Sequence, residues 1–215
     1  MKFLGFNSPF HNFMGRIFDL VLLHLLWVIC SLPVITIGAS TSALFTVTLK
    51  MVKNEEAYIV NSFWSAFKAN FKQSTRLWGI SAAIFVWLLL IMRICMKGNA
   101  QALKLLGIPN AALLIMTVLA LVYVFPIQAK YENTVGNILK NSVICSLRYL
   151  PYSILLVSVI FIPIVLTGYV ESLFPIMIAL WIFCGSSLIA FGSSFILNRV
   201  FDSIAAAENC QSDKQ

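Results

Sequence analysis

The sequence predicts an all-α fold: a polytopic integral membrane protein with six transmembrane helices, five long and one short, and cytoplasmic amphipathic helices. Three observations carry this. Of 215 residues, 60% are hydrophobic and only 11% charged, with a mean hydropathy of +0.91. Soluble domains carry about a quarter charged residues and under half apolar, and a soluble fold of this length has no interior large enough to hide so much apolar surface. Apolar runs approaching the roughly 18–20 residues that span a bilayer recur along the whole chain. The Lys and Arg residues flank these runs, as the positive-inside bias requires.

In order, the spans fall at about 17–32, 39–51, 77–92, 105–125, 152–170 and 173–197, in one membrane domain covering 1–215. The first run is retained: "MKFLGFNSPFHNFMGRIFDL" has aromatics where a signal peptide is aliphatic, and no small-residue cleavage site follows. The break "SLPVITIGAS" follows it. Pro33 and Gly38 end one helix and let the chain reverse, with Gly38 expected at positive φ. Thr36, Ser40 and Thr41 are placed to cap the next helix. That helix, at about 14 residues, covers only about 21 Å, so the turn is expected below the outer surface. A half-helix with its N-terminus aimed at a polar ligand is the functional alternative for the same stretch.

The basic residues decide whether 39–51 crosses. With six crossings and a cytoplasmic N-terminus, twelve of the fifteen lie inside; the best five-span arrangement places ten inside. Six crossings are therefore expected, in a bacterial cytoplasmic membrane, with both termini cytoplasmic. The segment 57–76 is an expected interfacial helix. Phe63, Phe67 and Phe71 recur every four residues beside a row of Lys68, Lys72 and Arg76. Such a helix turns aromatics toward the membrane and cations toward headgroups, or docks a cytoplasmic partner. A second amphipathic stretch runs through 132–154, where Ile138, Val143, Ile144 and Leu147 alternate with Lys140, Asn141 and Arg148.

The net charge of +7 would point to nucleic acid in a soluble protein; here it is the positive-inside bias, and no nucleic acid partner is expected. Five cysteines show no CxxC and two histidines do not make a metal site, so no metal or cofactor is expected. No GxSxG, HExxH or phosphate-cradling loop is present, and an enzyme is not expected. His24 lies mid-span, where it either bonds a neighbouring hydroxyl or carbonyl within the bundle or contacts a ligand. Asp19 is placed to pair with Arg16. The last span carries "GSS" twice, putting Ser186 and Ser194 on a stripe of small residues suited to close helix packing or to one wall of a polar path.

The stretch 18–80 resembles the YesL-like integral membrane proteins, a domain-of-unknown-function family of Gram-positive bacteria. The resemblance rests on "LP-x-x-T-x-G" (Leu32, Pro33, Thr36, Gly38), the "LK" at Leu49 and Lys50, and "SF-x-x-x-FK-x-NFKQ" (Ser62 to Gln73). Such proteins are encoded beside sugar-uptake permeases and polysaccharide-degrading enzymes. The resemblance therefore implies an accessory or modulatory role in carbohydrate uptake or utilisation, with membrane lipids and sugar ABC transporter subunits as partners. The alternative is a transporter or channel component that itself passes a small polar solute such as a saccharide. Its path would be lined by His24, Thr36, Thr41, Ser186 and Ser194.

Overall fold

In the computed structural model, which describes residues 9–55, 58–97, 101–169 and 174–212, seven α-helices follow one another. They are α1 (Pro9–Ser31), α2 (Ile37–Val52), α3 (Ile59–Lys97), α4 (Gln101–Lys130), α5 (Val135–Arg148), α6 (Leu150–Tyr169) and α7 (Phe174–Ser212). A single 3₁₀ turn, Val34–Thr36, joins α1 to α2. Among the described residues there is no strand. The expected start of the interfacial helix at 57, the end of the fifth span at 170 and the start of the sixth at 173 lie outside the described residues.

Among the described residues, six segments are long and apolar enough to cross a membrane: Met14–Ser31, Val34–Val52, Ile59–Lys97, Leu105–Lys130, Leu150–Thr167 and Phe183–Ala206. Their outward faces expose apolar side chains at helical spacing, such as Ile84, Trp87, Leu90 and Ile94 on α3, or Ile154, Phe161 and Val165 on α6. Contiguous apolar exposure on this scale belongs to a bilayer-facing surface.

The expected boundary at 76/77 is absent. The amphipathic segment and the third span form one helix of 39 residues, about 58 Å long. No proline interrupts it, and the Thr75 hydroxyl bonds back to the carbonyl of Phe71 at the junction, so the helical phase carries through. The helix α2 ends in a Schellman arrangement. Asn54 takes φ 58°, Glu55 N–H bonds Lys50 O at 3.1 Å and Asn54 N–H bonds Met51 O at 3.1 Å.

The shortest membrane-length helix sits at the centre. α2 packs against α1, α3, α4 and α7, and 56% of its membrane-length segment is buried inside the protein, against 11–39% for the other five. A sequence with this many Ser and Thr is tolerable there because its hydroxyls face protein. Two apolar cores flank it. One joins Leu20, Leu23, Val47, Met51 and Phe63; the other joins Leu49, Leu77, Tyr123, Ile127, Leu197 and Phe201.

The register of the neighbours fixes the geometry. α3 and α4 run antiparallel, from Gln73 bonded to the Asn133 carbonyl at one end, through Leu88 O accepting from Asn110 (3.1 Å), to Cys95 beside Gly107. α6 and α7 pair likewise, with Trp181 Nε1 on Thr167 Oγ1 at 3.0 Å and Gly192 beside Val159. α2, in contrast, lies along the first half of α3: Gly38 abuts Ser74 and Trp78, and Phe63 joins the core with Val47 and Met51. The Gln73–Asn133 end also gathers the charges. Arg16 donates to Asn54, and Lys53 and Lys130 both stand 3.9 Å from one Asp202 oxygen. This is the basic end of the bundle.

Candidate functional site

The polar residues proposed for a path are brought together, but as a seam. His24 is 4% exposed. Its Nδ1 stands 2.8 Å from Ser186 Oγ and accepts from the Ser186 amide at 3.3 Å. An amide can only donate, so the ring proton belongs on Nε2. Two turns further along α7, Ser194 donates to Thr48 Oγ1 at 2.9 Å, and one turn beyond that Asn198 Nδ2 donates to Leu49 O at 3.3 Å. Trp27 Nε1 donates to Thr41 Oγ1 at 3.3 Å, and the hydroxyls of Ser31 and Ser40 meet at 2.6 Å. These bonds tie α7 and α1 to α2. They use the small residues of the "GSS" stripe as packing surface, since Ser187, Ser193 and Ser194 are all 1% exposed or less.

Thr36 and the turn act locally. Pro33 has no N–H to leave unpaired, and the Thr36 hydroxyl lies 2.6 Å from Cys30 O and 2.7 Å from Pro33 O, carbonyls at the end of α1. Its side chain makes no cap bond to α2. Gly38 is not the positive-φ turn residue expected: no described glycine has positive φ. It lies inside α2, where a Cβ would stand 2.6 Å from Ser74 O, so it is needed for close approach of α2 and α3.

The aromatic row of α3 divides. Phe63 is 0% exposed and belongs to the core with Leu23 and Val47, so its assignment to a lipid or partner interface is corrected. The reason is α2: it covers the face of α3 that a free interfacial helix would turn to lipid. Phe67 is half-buried, with Phe71 set edge-on to it at 5.5 Å. Phe71, Lys68, Lys72 and Arg76 remain exposed, and the Lys68 ammonium lies 5.4 Å from the Trp64 ring. Arg16 and Asp19 make no direct ion pair, because the Arg16 guanidinium is turned to Asn54.

An open groove lies at the basic end. A cavity of about 340 Å³ separates one face of α5 (Asn141, Ile144, Cys145, Arg148) from Phe201 and Ile204 of α7, with Ile127 and Tyr131 of α4 as its floor. The α5 residues fall at i, i+3, i+4 and i+7, one helical face. The mouth at 131–134 is braced: Thr134 caps α5 through Asn137 N–H, Asn133 Oδ1 accepts from Thr134 N–H at 2.9 Å and from Asn137 Nδ2 at 3.0 Å, and Gln73 holds the Asn133 carbonyl. Glu132 and Arg148 face the groove. Lys130 stands 4.6 Å over the Phe201 ring. Burial pushes the Cys145 thiol up from its ordinary pKa, against the lowering effect of Arg148. Sequence reasoning missed this groove, as it missed the buried chain from Tyr123 OH to Ser153 Oγ (3.1 Å) to Ser146 O (2.9 Å) that ties α4, α6 and α5. The i, i+3, i+4, i+7 spacing at 141–148 was the available signal. Among the described residues no three of His, Cys, Asp and Glu come together as metal ligands.

The arrangement defines a class: a helical bundle of membrane-crossing character, with a hydrogen-bonded polar seam inside and an open, charged groove at one end. One protein-family model, described as "Protein of unknown function, DUF624", matches residues 20–92, a stretch that covers α1 from Leu20, all of α2 and most of α3. No curated protein and no solved structure matches the chain.

Proposed function

We infer that this is a YesL-like bacterial cytoplasmic-membrane protein, with its basic end in the cytoplasm, that acts as an accessory component of carbohydrate uptake by holding another membrane or membrane-bound protein. The observation that carries the reading is the contrast between the two polar regions. The groups a solute path would need are engaged inside the bundle, His24 with Ser186, Thr41 with Trp27 and Ser194 with Thr48. The groups at the basic end, Arg148, Lys68, Lys72 and Arg76, are exposed and have no acidic partner within ion-pair distance among the described residues. Open polar surface beside apolar floor is how transient protein interfaces are built. The positive-inside bias supports the orientation.

The test is affinity purification of the tagged protein from its own membranes in mild detergent. Near-stoichiometric recovery of sugar-permease or ATPase subunits, reduced when Arg148, Lys68 and Lys72 are replaced by Gln, is the expected result. Recovery of the protein alone, together with saccharide flux in vesicles containing nothing else, would overturn it.

A further inference from the structure

We propose that the junction of α2, α3 and α4 holds internal water: a small polar site, closed to the outside, in which one or a few water molecules bridge Gln128, Ser74 and Ser42. Among the described residues seven buried side-chain N and O atoms have no hydrogen-bond partner, and six of them belong to these three helices. They are Ser42 Oγ on α2, Ser74 Oγ, Trp78 Nε1 and Ser81 Oγ on α3, and both amide atoms of Gln128 on α4. Ser42 and Ser74 are fully buried and Gln128 is 5% exposed.

Direct contacts bring them together. Along α3 and α4, Gln73 meets the Asn133 carbonyl on one side, and Trp78 shares a cavity wall with Leu121 and Phe125 on the other. The two helices run antiparallel, so Ser74 and Gln128 fall opposite each other between those contacts. Gln128 lies at i+4 from Val124 and i+3 from Phe125, and so continues the face of α4 that packs on α3. On α2, Gly38 abuts Ser74 and Trp78, and Leu49 joins the core that contains Leu77 and Ile127. Ser42 stands one turn after Gly38 and two turns before Leu49, on the same strip of α2. All three side chains therefore reach one three-helix junction.

The chemistry selects the occupant. A buried serine can turn its hydroxyl back to its own helix, as Ser142 does to Ile138 O. Gln128 has no such recourse. Its amide carries donors and an acceptor at the end of a long side chain, and leaving them unmet in an apolar interior is costly. The partner must donate and accept, must fit a closed junction, and must be neutral, since none of the five residues is charged. Water meets all three requirements, and a buried water typically makes about three hydrogen bonds to such groups. A cation would be opposed by the Gln128 NH2 and the Trp78 N–H, which can only donate. The seam of α1, α2 and α7 differs, because its groups satisfy one another directly, as Ser194 and Thr48 do.

The experiment is hydroxyl-radical footprinting of the full chain in nanodiscs, read by mass spectrometry. A short X-ray pulse turns bound water into radicals that oxidise the nearest side chains. Leu77, 0% exposed and one turn from Ser74, is the reporter. It is expected to be oxidised in the wild type and to lose that oxidation in Gln128→Met, which keeps the shape of the side chain and removes its polar atoms. In the same nanodiscs Gln128→Met should lower Tm by about 2–6 °C, with a smaller loss where Ser74→Ala is already present. An unmodified Leu77 in the wild type would overturn the proposal; joined to a lowered Tm for Gln128→Met, it would mean a direct bond within the protein. A raised Tm for Gln128→Met would also overturn it, since relief of an unmet amide means a dry junction. A wild-type Tm that climbs with Na⁺ or K⁺ against choline at equal ionic strength would assign the site to a cation instead. If Gln128→Met does not accumulate, Ser42→Ala is read at Leu77 in its place, with the same loss expected.

Discussion

Gly38→Ala tests the seam between α2 and α3. An added Cβ would stand 2.6 Å from Ser74 O and 2.8 Å from Trp78 Cβ, both parts of α3 that cannot swing away. Ordinary contact requires about 3.4 Å or more, so α2 must back off by roughly 0.8 Å from a neighbour it touches along its length. Overpacking of this kind costs about 1–3 kcal/mol, against which alanine recovers up to about 1 kcal/mol of helix propensity. The net expectation is a loss of about 1–2 kcal/mol, or roughly 2–8 °C in Tm for a chain of this size. Gly79→Ala is the control, since a Cβ there meets nothing within 4 Å and only the propensity gain remains. Thermal unfolding of both variants in the same nanodiscs gives the comparison. A Gly38→Ala protein melting at or above wild type would refute the packing argument, and Gly38→Val, with two further carbons in the same gap, should be worse than Ala.

Thr36→Val keeps the shape of the turn but removes the donor to Cys30 O and Pro33 O, and should cost about 1–2 kcal/mol in the same assay, with Thr36→Ser close to wild type. Ser186→Ala should cost only about 1 kcal/mol, because the amide of residue 186 still serves His24 Nδ1; a loss several times larger would mean the hydroxyl does more than pack the seam. With its pKa raised, Cys145 is a neutral thiol at pH 7, so maleimide alkylation should be slow there and accelerate as pH rises past 9; fast labelling at pH 7 in a chain keeping only this cysteine would contradict the buried setting. Gln73→Ala removes the brace on the Asn133 carbonyl and should weaken partner recovery while costing only about 1 kcal/mol of stability, checked by quantitative co-purification beside thermal unfolding.

The helical class and all six apolar segments were legible because lipid exposure imposes long uncharged runs, and the flanking Lys and Arg mark their ends. Less legible was where each run sits. The row Phe63, Phe67, Phe71 has one period, yet Phe63 is core while Phe71 is exposed, and the pattern cannot say that α2 covers one edge of it. The boundary at 76/77 was drawn where composition changes, but a helix ends only where a breaker or cap stops it, and none stands there. Gly38 was correctly singled out for the wrong cause, since a glycine looks the same whether it supplies a positive φ or clears space for Ser74. His24 and Ser186, 162 residues apart, were each visible as polar groups in apolar runs; that they belong to one bond depends on how α1 meets α7, which no local signal carries.

The unbroken length of α3 has a mechanical meaning. A helix resists bending and twisting far more than a loop does, so a load applied to its exposed Lys68–Arg76 portion reaches the apolar half as tilt or rotation without being absorbed in a joint. The Asn110–Leu88 bond would hand that movement to α4, and Gly38 would hand it to α2. α3 is thereby one stiff rod from its exposed basic portion to the far end of its apolar half, with no joint between the two.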